Sequence, residues 1–284
     1  MPTPLFKYFG HPETSPLENS ALKVLDKLSL KVTPPNEFND PFEFSPVVKT
    51  SDPNAAGRER LNRILSDPSF YIRNRPAFSA CKDFADFQAF VRSRRDFFEK
   101  DLAKRLTNLD EEFQNDILPF LGSHYGVICF SAVDCEPLMW AHYATSHSGV
   151  MLEFAQDCPL FQGGAFLEVD YNQDRAIYDP SQPADGSQVI ALARRKSEHW
   201  GYEKEYRVVV KLADTRNIAS SGAKPLYLLQ IEAKWLASVT FGCKCPKALR
   251  DEVLKLLTRT ELRHIQPCKI QMDRALFKFL RTRL

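Results

Sequence analysis

The run from Trp200 to Arg207 places two carboxylates and a guanidinium at alternate positions. If this run enters a β-strand, Glu203, Glu205 and Arg207 point to the same side, because side chains alternate along a strand. A carboxylate oriented by an arginine can act on a substrate hydroxyl. The run therefore predicts Glu203 and Glu205 as catalytic residues and Arg207 as a binding residue. An exposed edge strand with an ion pair of little energetic value is the alternative.

A second group of polar and aromatic side chains follows the run Cys129–Ser131. Four rings occur within eight positions: Trp140, His142, Tyr143 and His147. Trp140, Tyr143 and His147 recur at spacings of three and four, so one helix face would present all three. Because imidazole titrates near neutral pH, we expect His142 among the catalytic residues and the other three around a ligand. A core face whose polar tips bond to backbone is the alternative.

The N-terminal part of the chain contributes a third group. Leu5–Phe9 is short, aromatic and typical of a strand, and we expect Lys7 and Tyr8 on it to bind the cofactor. Further along the chain, a loop at 33–41 contains three prolines, and Asn39 and Asp40 lie near its end. We expect Asn39 and Asp40 to bind a polar ligand, since loops held by a scaffold often carry function. A purely structural turn is the alternative.

These groups require a sheet with helices around it, and the sequence predicts an α+β fold with a mixed or antiparallel sheet core. Strand patterns recur at 127–131, 150–154, 166–171, 206–212, 226–231 and 238–241. Helical periodicity indicates an inserted helical subdomain at about 52–121, a helix at Ala191–Trp200, and a C-terminal helical segment at Pro246–Arg259. We predict a single domain over residues 1–284.

Composition and charge exclude several classes of protein. Hydrophobic residues make up 44% and charged residues 26% of the 284 positions, so wholesale disorder is excluded. The net charge of +2 argues against a surface built throughout for nucleic acid. Residues 238–284, however, hold eleven Lys and Arg against four acids, so any nucleic-acid contact is expected at this basic C-terminal region. A solvated face is the other interpretation of that charge.

Cellular location and metal binding follow from what the sequence contains. Long apolar runs and an export signal are lacking, and seven cysteines are scattered, so we expect a cytoplasmic protein with no membrane contact. Cys243, Cys245, His264 and Cys268 lack the usual zinc spacing, and we expect no metal. Motifs of serine hydrolases, P-loop enzymes and Rossmann dehydrogenases do not occur.

In order along the chain, these motifs resemble a bacterial domain-of-unknown-function family, number 2971. The resemblance rests on five segments: Leu5–Tyr8, Asn39–Glu43, Cys129–Ser131, Met139–Gly149 and Glu203–Arg207. It spans about Leu5 to Gly242 and implies no assigned activity.

The same order also looks like the ADP-ribosyltransferase fold, which splits a nicotinamide dinucleotide and transfers ADP-ribose. That family pairs an Arg or His in the first strand with a Ser-bearing or Tyr-bearing second motif and a terminal Glu-x-Glu strand. Here Ser131 and Glu203-x-Glu205 follow this order, whereas Lys7, or His11 beyond the strand, stands at the first position. The resemblance implies that Glu205 holds a ribose hydroxyl, Glu203 helps to select the acceptor, Ser131 braces the site and Tyr143 stacks on nicotinamide.

The sequence therefore predicts an ADP-ribosyltransferase-like or NAD-cleaving enzyme, acting as a bacterial toxin or defence protein. NAD would be its co-substrate, and a small molecule or nucleotide its substrate. One alternative is a non-catalytic ligand- or nucleic-acid-sensing module that uses Trp140 and Tyr143 for stacking. Another is a metal-independent nuclease or phosphodiesterase with His142 and His147 as acid and base.

Overall fold

The computed structural model describes residues 4–104, 113–182, 186–218 and 225–284. The chain divides into two compact units. The first unit comprises Met1–Pro34, His124–Gln173 and Lys196–Leu284, and the second comprises Pro35–Ser123 and Asp174–Arg195. The helical insert predicted at about 52–121 thus falls within the second unit, which also takes in residues from later in the chain.

The described helices and strands are numbered in chain order. The helices are α1 (Ser20–Lys27), α2 (Pro53–Ser66), α3 (Pro68–Arg73), α4 (Phe84–Arg92), α5 (Arg95–Lys104), α6 (Leu118–His124), α7 (Pro137–Tyr143), α8 (Gly186–Arg194) and α9 (Lys247–Leu256). The strands are β1 (Leu5–Phe9), β2 (Ser29–Val32), β3 (Val47–Val48), β4 (Tyr125–Ser131), β5 (Val150–Phe154), β6 (Phe166–Glu168), β7 (Asp170–Asn172), β8 (Ile177–Tyr178), β9 (Arg195–Ser197), β10 (Glu205–Lys211), β11 (Arg216–Ile218), β12 (Leu226–Gln230), β13 (Leu236–Phe241), β14 (Gln266–Met272) and β15 (Phe279–Arg283).

An eight-stranded sheet in the order β15-β14-β13-β5-β1-β4-β10-β6 is the framework of the first unit. Strands β13 and β14 pair in parallel, and the other neighbours pair antiparallel, so the sheet is mixed. Strand β1 pairs with β5 along all five residues, whereas it meets β4 at Phe6 opposite Ser131. The strands that carry the predicted first motif, the serine and the Glu-x-Glu motif are therefore neighbours.

Both faces of this sheet are covered by apolar side chains, because helices pack on each side. On one face the core includes Leu5 and Leu152 of the sheet together with Leu249 and Val253 of α9. On the other face Phe6 and Met151 pack with Met139 and Trp140 of α7. Successive side chains of β1 thus pack alternately into two separate cores. A shift of the strand by one residue would exchange the two sets, so this packing fixes the register of β1.

The second unit is mainly helical around its own aromatic core, which includes Leu61, Tyr71, Phe87 and Val91. Helix α2 begins at Pro53 after Asp52, whose side chain accepts the backbone N–H groups of Asn54 and Ala55. Proline at a first helical position and an aspartate cap are strong start signals, which is why this boundary was visible in the sequence.

The predicted fold class, α+β with a mixed sheet, is confirmed, and two elements differ from expectation. The helix predicted at Ala191–Trp200 is wrong: α8 ends at Arg194, β9 follows, and a 3₁₀ helix spans Glu198–Glu203. The C-terminal helical segment is shorter than predicted, and beyond it the chain forms β14 and β15 at the edge of the sheet. Polar residues and a proline interrupt β14, and β15 holds only two apolar residues, so neither strand shows a clear period-two pattern of apolar residues.

In the described part of the chain, no helix is long and apolar enough to cross a membrane.

Candidate functional site

Strand β10 places its first residues in the interior of the sheet, between β4 and β6. In the pairing of β10 with β4, Glu205 lies opposite Ser131, and Arg207 lies opposite Cys129. Residues directly opposite in an antiparallel pair project to the same face, so these four side chains share one side of the sheet. Glu205 is 4% exposed and Arg207 is 0% exposed. An exposed edge strand, the alternative for this segment, is therefore wrong.

Four buried charged side chains form what we call the charge cluster: Lys196, Glu203, Glu205 and Arg207. Lys196 Nζ donates to Glu203 Oε2 at 2.6 Å and to Glu205 Oε2 at 2.8 Å. Arg207 is bidentate on Glu205, with Nε 2.8 Å from Oε1 and Nη2 3.0 Å from Oε2. Two cations and two carboxylates balance each other, which a set of buried charges requires.

Glu203 reaches the cluster from outside the strand, which corrects its predicted place on β10. It ends the 3₁₀ helix Glu198–Glu203, and Lys204 then adopts a left-handed conformation with φ of 43° before β10 begins. This turn brings the Glu203 and Glu205 carboxylates to the same ammonium group. Ser131 Oγ donates to the Glu203 carbonyl at 2.6 Å and accepts the Val133 N–H at 3.1 Å. Ser131 thus bonds to the backbone at Glu203 and at Val133.

Hydroxyl and thiol groups complete the surroundings of the two carboxylates. Tyr143 OH donates to Glu203 Oε1 at 2.6 Å, and Tyr171 OH accepts the backbone N–H of Glu205 at 2.8 Å. The Cys129 thiol hydrogen-bonds Glu205, and burial raises the pKa of that thiol. Cys129 is therefore a hydrogen-bond donor here and not a nucleophile, since the thiolate is the reactive form.

The two carboxyl groups differ in protonation. Burial raises the pKa of Glu203, and the nearby Glu205 charge raises it further against the opposing effect of Lys196. Burial acts in the same sense on Glu205, but the Arg207 guanidinium and the Lys196 ammonium outweigh it and hold the pKa of Glu205 well below its usual range. The pair thus combines one carboxyl that can hold a proton with one that stays ionised.

An aromatic surface formed by His142, Trp200 and Tyr202 lies beside the charge cluster. The ring centroids are 6.2 Å apart for His142 and Trp200, and 6.1 Å apart for Trp200 and Tyr202. His142 is exposed, and the other two rings are half-buried. Lys196 Nζ lies 5.2 Å from the Trp200 centroid, which links the surface to the buried charges. The aromatic surface thus extends from the buried charges to the exposed His142 ring.

Lys7, Tyr8 and Trp140, three predicted binding residues, make their polar contacts with backbone. Lys7 Nζ donates to the Cys129 carbonyl at 2.9 Å, and burial lowers the pKa of Lys7. Tyr8 OH donates to the Val133 carbonyl at 2.7 Å, and the fully buried Trp140 donates Nε1–H to the Asp134 carbonyl at 2.7 Å. The core-face alternative therefore describes Trp140, and Tyr8 packs in the same core. The Lys7 side chain lies on the other face of the sheet, against Phe130.

His147 does not share a helix face with Trp140 and Tyr143, which corrects the predicted spacing argument. Helix α7 ends at Tyr143, and His147 lies beyond it at a φ of 73°. Its ring packs edge-on against Phe279 at 5.4 Å, whereas His142 packs near Trp200 and Tyr202. The two imidazoles thus contact different groups, and an acid–base pair of His142 and His147 has no support in these contacts.

Asn39 and Asp40 belong to the second compact unit. Asp40 Oδ1 accepts the Phe42 N–H at 2.9 Å, which closes a local turn, and Asn39 is exposed. The turn interpretation of this loop accounts for Asp40.

Sequence reasoning missed Lys196, the residue that joins both carboxylates. It was hidden in the helix predicted at Ala191–Trp200, where Lys is an ordinary surface residue. Tyr171, Trp200 and Tyr202 were also missed as site residues. No sequence motif requires a basic residue seven positions before Glu203, so only the folded structure shows that Lys196 belongs to the site.

Comparisons of this chain with family models, curated proteins and solved structures return no match. Among the described residues, no group of three or more His, Cys, Asp or Glu side chains is arranged to hold a metal ion.

Proposed function

We propose that this chain is an enzyme that cleaves the bond between nicotinamide and ribose in NAD, and passes the ADP-ribose to an acceptor or to water. The observation that carries the proposal is the buried pair Glu203 and Glu205, whose pKa values are displaced in opposite directions. Carboxyl pairs separated in this way divide the roles of proton carrier and fixed anion in glycoside chemistry.

The residues suit the charge that develops during such a cleavage. When the bond breaks, nicotinamide leaves with the bonding electron pair, and the ribose carbon becomes positively charged. Glu205, ionised on Arg207 and Lys196, stabilises that charge electrostatically. Glu203 takes the proton of the water or acceptor hydroxyl that attacks the ribose carbon, because a base with a raised pKa works near neutral pH. Tyr143 orients Glu203 through their hydrogen bond.

The surroundings fit a dinucleotide co-substrate. His142, Trp200 and Tyr202 offer ring faces on which nicotinamide can stack next to the cluster. Ser131 and Glu205 lie opposite each other on β4 and β10, in the order of motifs on which the resemblance to ADP-ribosyltransferases rests. Lys7 lies on the neighbouring strand β1, but its side chain projects to the other face of the sheet, so we assign it no role in cleavage. We propose a small nucleotide as the substrate, action in the cytoplasm, and a role as a bacterial toxin or defence protein.

The test is release of nicotinamide from NAD by the purified full-length protein. We expect Glu203→Gln to slow release by about 100-fold, within the range that general acid–base catalysis supplies. Glu198→Gln changes an exposed glutamate in the same 3₁₀ helix and should leave the rate unchanged. Equal rates in these two variants would overturn the assignment of Glu203. NAD that binds the wild type without being cleaved would instead favour the ligand-sensing module.

A further inference from the structure

The loop of the β14–β15 hairpin bounds a groove that shares no residue with the charge cluster. The groove has a volume of about 550 Å³. It is lined by the loop and by two residues near α7, namely Pro137, His147, Met272, Asp273, Arg274, Ala275, Leu276, Phe277, Lys278 and Phe279. Its size falls within the range of small-molecule sites, roughly 300 to 1,000 Å³.

The hairpin loop has a defined shape that leaves apolar side chains uncovered. Asp273 Oδ1 accepts the N–H groups of Ala275 and Leu276 at 2.8 and 2.9 Å, which closes the loop. Met272 is 73% exposed, Leu276 is 59% exposed and Phe277 has no measurable cover. Three neighbouring apolar side chains in water are more than scattered exposure, and such patches mark binding sites.

The opposite wall is a strained turn that holds His147 in place. Thr145, Ser146 and His147 have φ values of 43°, 50° and 73°, three successive left-handed residues of which none is glycine. Such conformations cost energy and persist where the surroundings enforce them. Here the His147 N–H donates to the Trp140 carbonyl, and the His147 carbonyl accepts the Lys244 N–H, both at 3.0 Å. His147 is thereby fixed against Phe279 at the groove.

His147 also presents an unused polar atom. Its Nδ1 is buried and has no hydrogen-bond partner among the described residues. Buried polar atoms are almost always paired, so this one lacks the partner that a ligand or an ordered water would supply, and the His147 ring itself lines the groove. Burial and the Lys244 charge lower the pKa of His147, so the ring is neutral at pH 7.

We propose that this groove binds a small amphipathic anion, with its apolar body on Phe277 and Phe279, its charged group between Arg274 and Lys278, and a polar atom on His147. Arg274 and Lys278 lie on either side of Leu276 and Phe277. Asp273 precedes Arg274, and its Oδ2 lies 3.8 Å from Lys278 Nζ, so two cations face one acid on this loop. That arrangement supplies both an apolar surface and an excess of positive charge. The proposal is independent of NAD cleavage, since it uses none of the same side chains.

The probe for the test is 8-anilinonaphthalene-1-sulfonate, titrated into the full chain at pH 7 and followed by its fluorescence. We expect saturable binding that Phe277→Ser weakens by about tenfold, because the variant removes the apolar ring that the probe would cover. Lys278→Ala should weaken it by about threefold through the lost charge. Phe97→Ser is the matched control, because Phe97 is an exposed phenylalanine of α5 in the other unit. It should bind the probe like the wild type.

Competition distinguishes the sources of such an anion. Displacement of the probe by 1-naphthoate but not by dodecanoate would indicate an aromatic acid, and the reverse result a fatty acid; both support the site. Equal probe binding by the wild type and Phe277→Ser would overturn it. A second result would also overturn the proposal: the protein associates with vesicles that contain an anionic phospholipid but binds none of the soluble anions. The loop would then be a membrane-contacting surface.

Discussion

At the scale of single residues, the structure assigns distinct roles to two glutamates that the sequence could only place together. Glu205 has both oxygens on cations, whereas Glu203 shares one oxygen with Lys196 and the other with Tyr143. The residue types and their neighbourhood were predictable from Glu203-x-Glu205-x-Arg207. Their separate protonation was not, because it depends on Lys196, which approaches from β9.

Stability should respond differently to neutralising each glutamate. At pH 7, Glu205→Gln leaves Arg207 and Lys196 buried with one carboxylate between them, and we expect a loss of about 3 to 5 kcal/mol. Glu203→Gln should cost less, because the raised pKa of Glu203 means that its charge is already disfavoured. Urea unfolding measures both values. Equal losses would contradict the division of roles.

Acid should destabilise the protein mainly through Glu205. The folded-state pKa of Glu205 is depressed, so its contribution is complete above the unfolded value of about 4.3 and is lost as the pH falls below it. Glu203 has a raised pKa and acts in the opposite sense, so that its contribution is lost as the pH rises above the unfolded value. Unfolding free energies between pH 7 and pH 3 should therefore fall less steeply in Glu205→Gln than in the wild type. If the unfolding free energies of the wild type and Glu205→Gln changed equally with pH, the pKa of Glu205 would not be depressed in the folded state.

At the scale of elements, local signals located most strands, and the failures have physical causes. Strands β1 and β5 were predicted with their bounds, because apolar and β-branched residues dominate them. The α7 helix was predicted to continue to His147, but three left-handed residues follow it. Tertiary contacts with Gly242 and Lys244, which follow β13, enforce that turn, and a helix-period pattern in the sequence cannot reveal them. The same holds for Lys204, whose left-handed conformation separates Glu203 from β10.

One glycine tests how tightly this turn is held. A Cβ at Gly242 would lie 2.1 Å from the His147 carbonyl oxygen, and backbone cannot yield as a flexible side chain would. We expect Gly242→Ala to destabilise the protein by about 1 to 3 kcal/mol. Gly164→Ala is the control, since a Cβ there meets nothing within 4 Å. The measurement is the midpoint temperature of thermal unfolding of the two variants. Equal midpoint temperatures would contradict a rigidly held turn.

At the scale of the whole molecule, the basic excess of the C-terminal region is partly neutralised in the fold. Arg259 pairs with Asp26 at 2.6 Å, and Arg281 pairs with Glu153 at 2.5 Å and lies 3.5 Å from Asp134. The net charge of a segment, read from the sequence, could not include partners from distant parts of the chain. Contact with nucleic acid through this region remains a prediction, and its remaining free cations are fewer than the sequence count implies.

The dependence on salt concentration distinguishes NAD cleavage at the charge cluster from nucleic-acid binding at the basic C-terminal region. Nicotinamide release depends on a buried charge cluster, which salt screens little, so its rate should change by less than about twofold between 50 and 200 mM salt. Nucleic-acid binding through exposed cations would fall steeply over the same range. A release rate that collapses with salt would indicate that surface cations, and not the cluster, govern activity.

The account depends most on the pKa of Glu203 being raised, so that it can accept a proton, next to a Glu205 that stays ionised. A ¹³C NMR titration of the side-chain carboxyls, assigned with Glu203→Gln and Glu205→Gln, measures this directly. We predict that the Glu203 signal titrates above the ordinary glutamate value of about 4.3, while the Glu205 signal stays that of a carboxylate until the protein unfolds in acid. Two carboxyls that titrate together near that ordinary value would contradict the account.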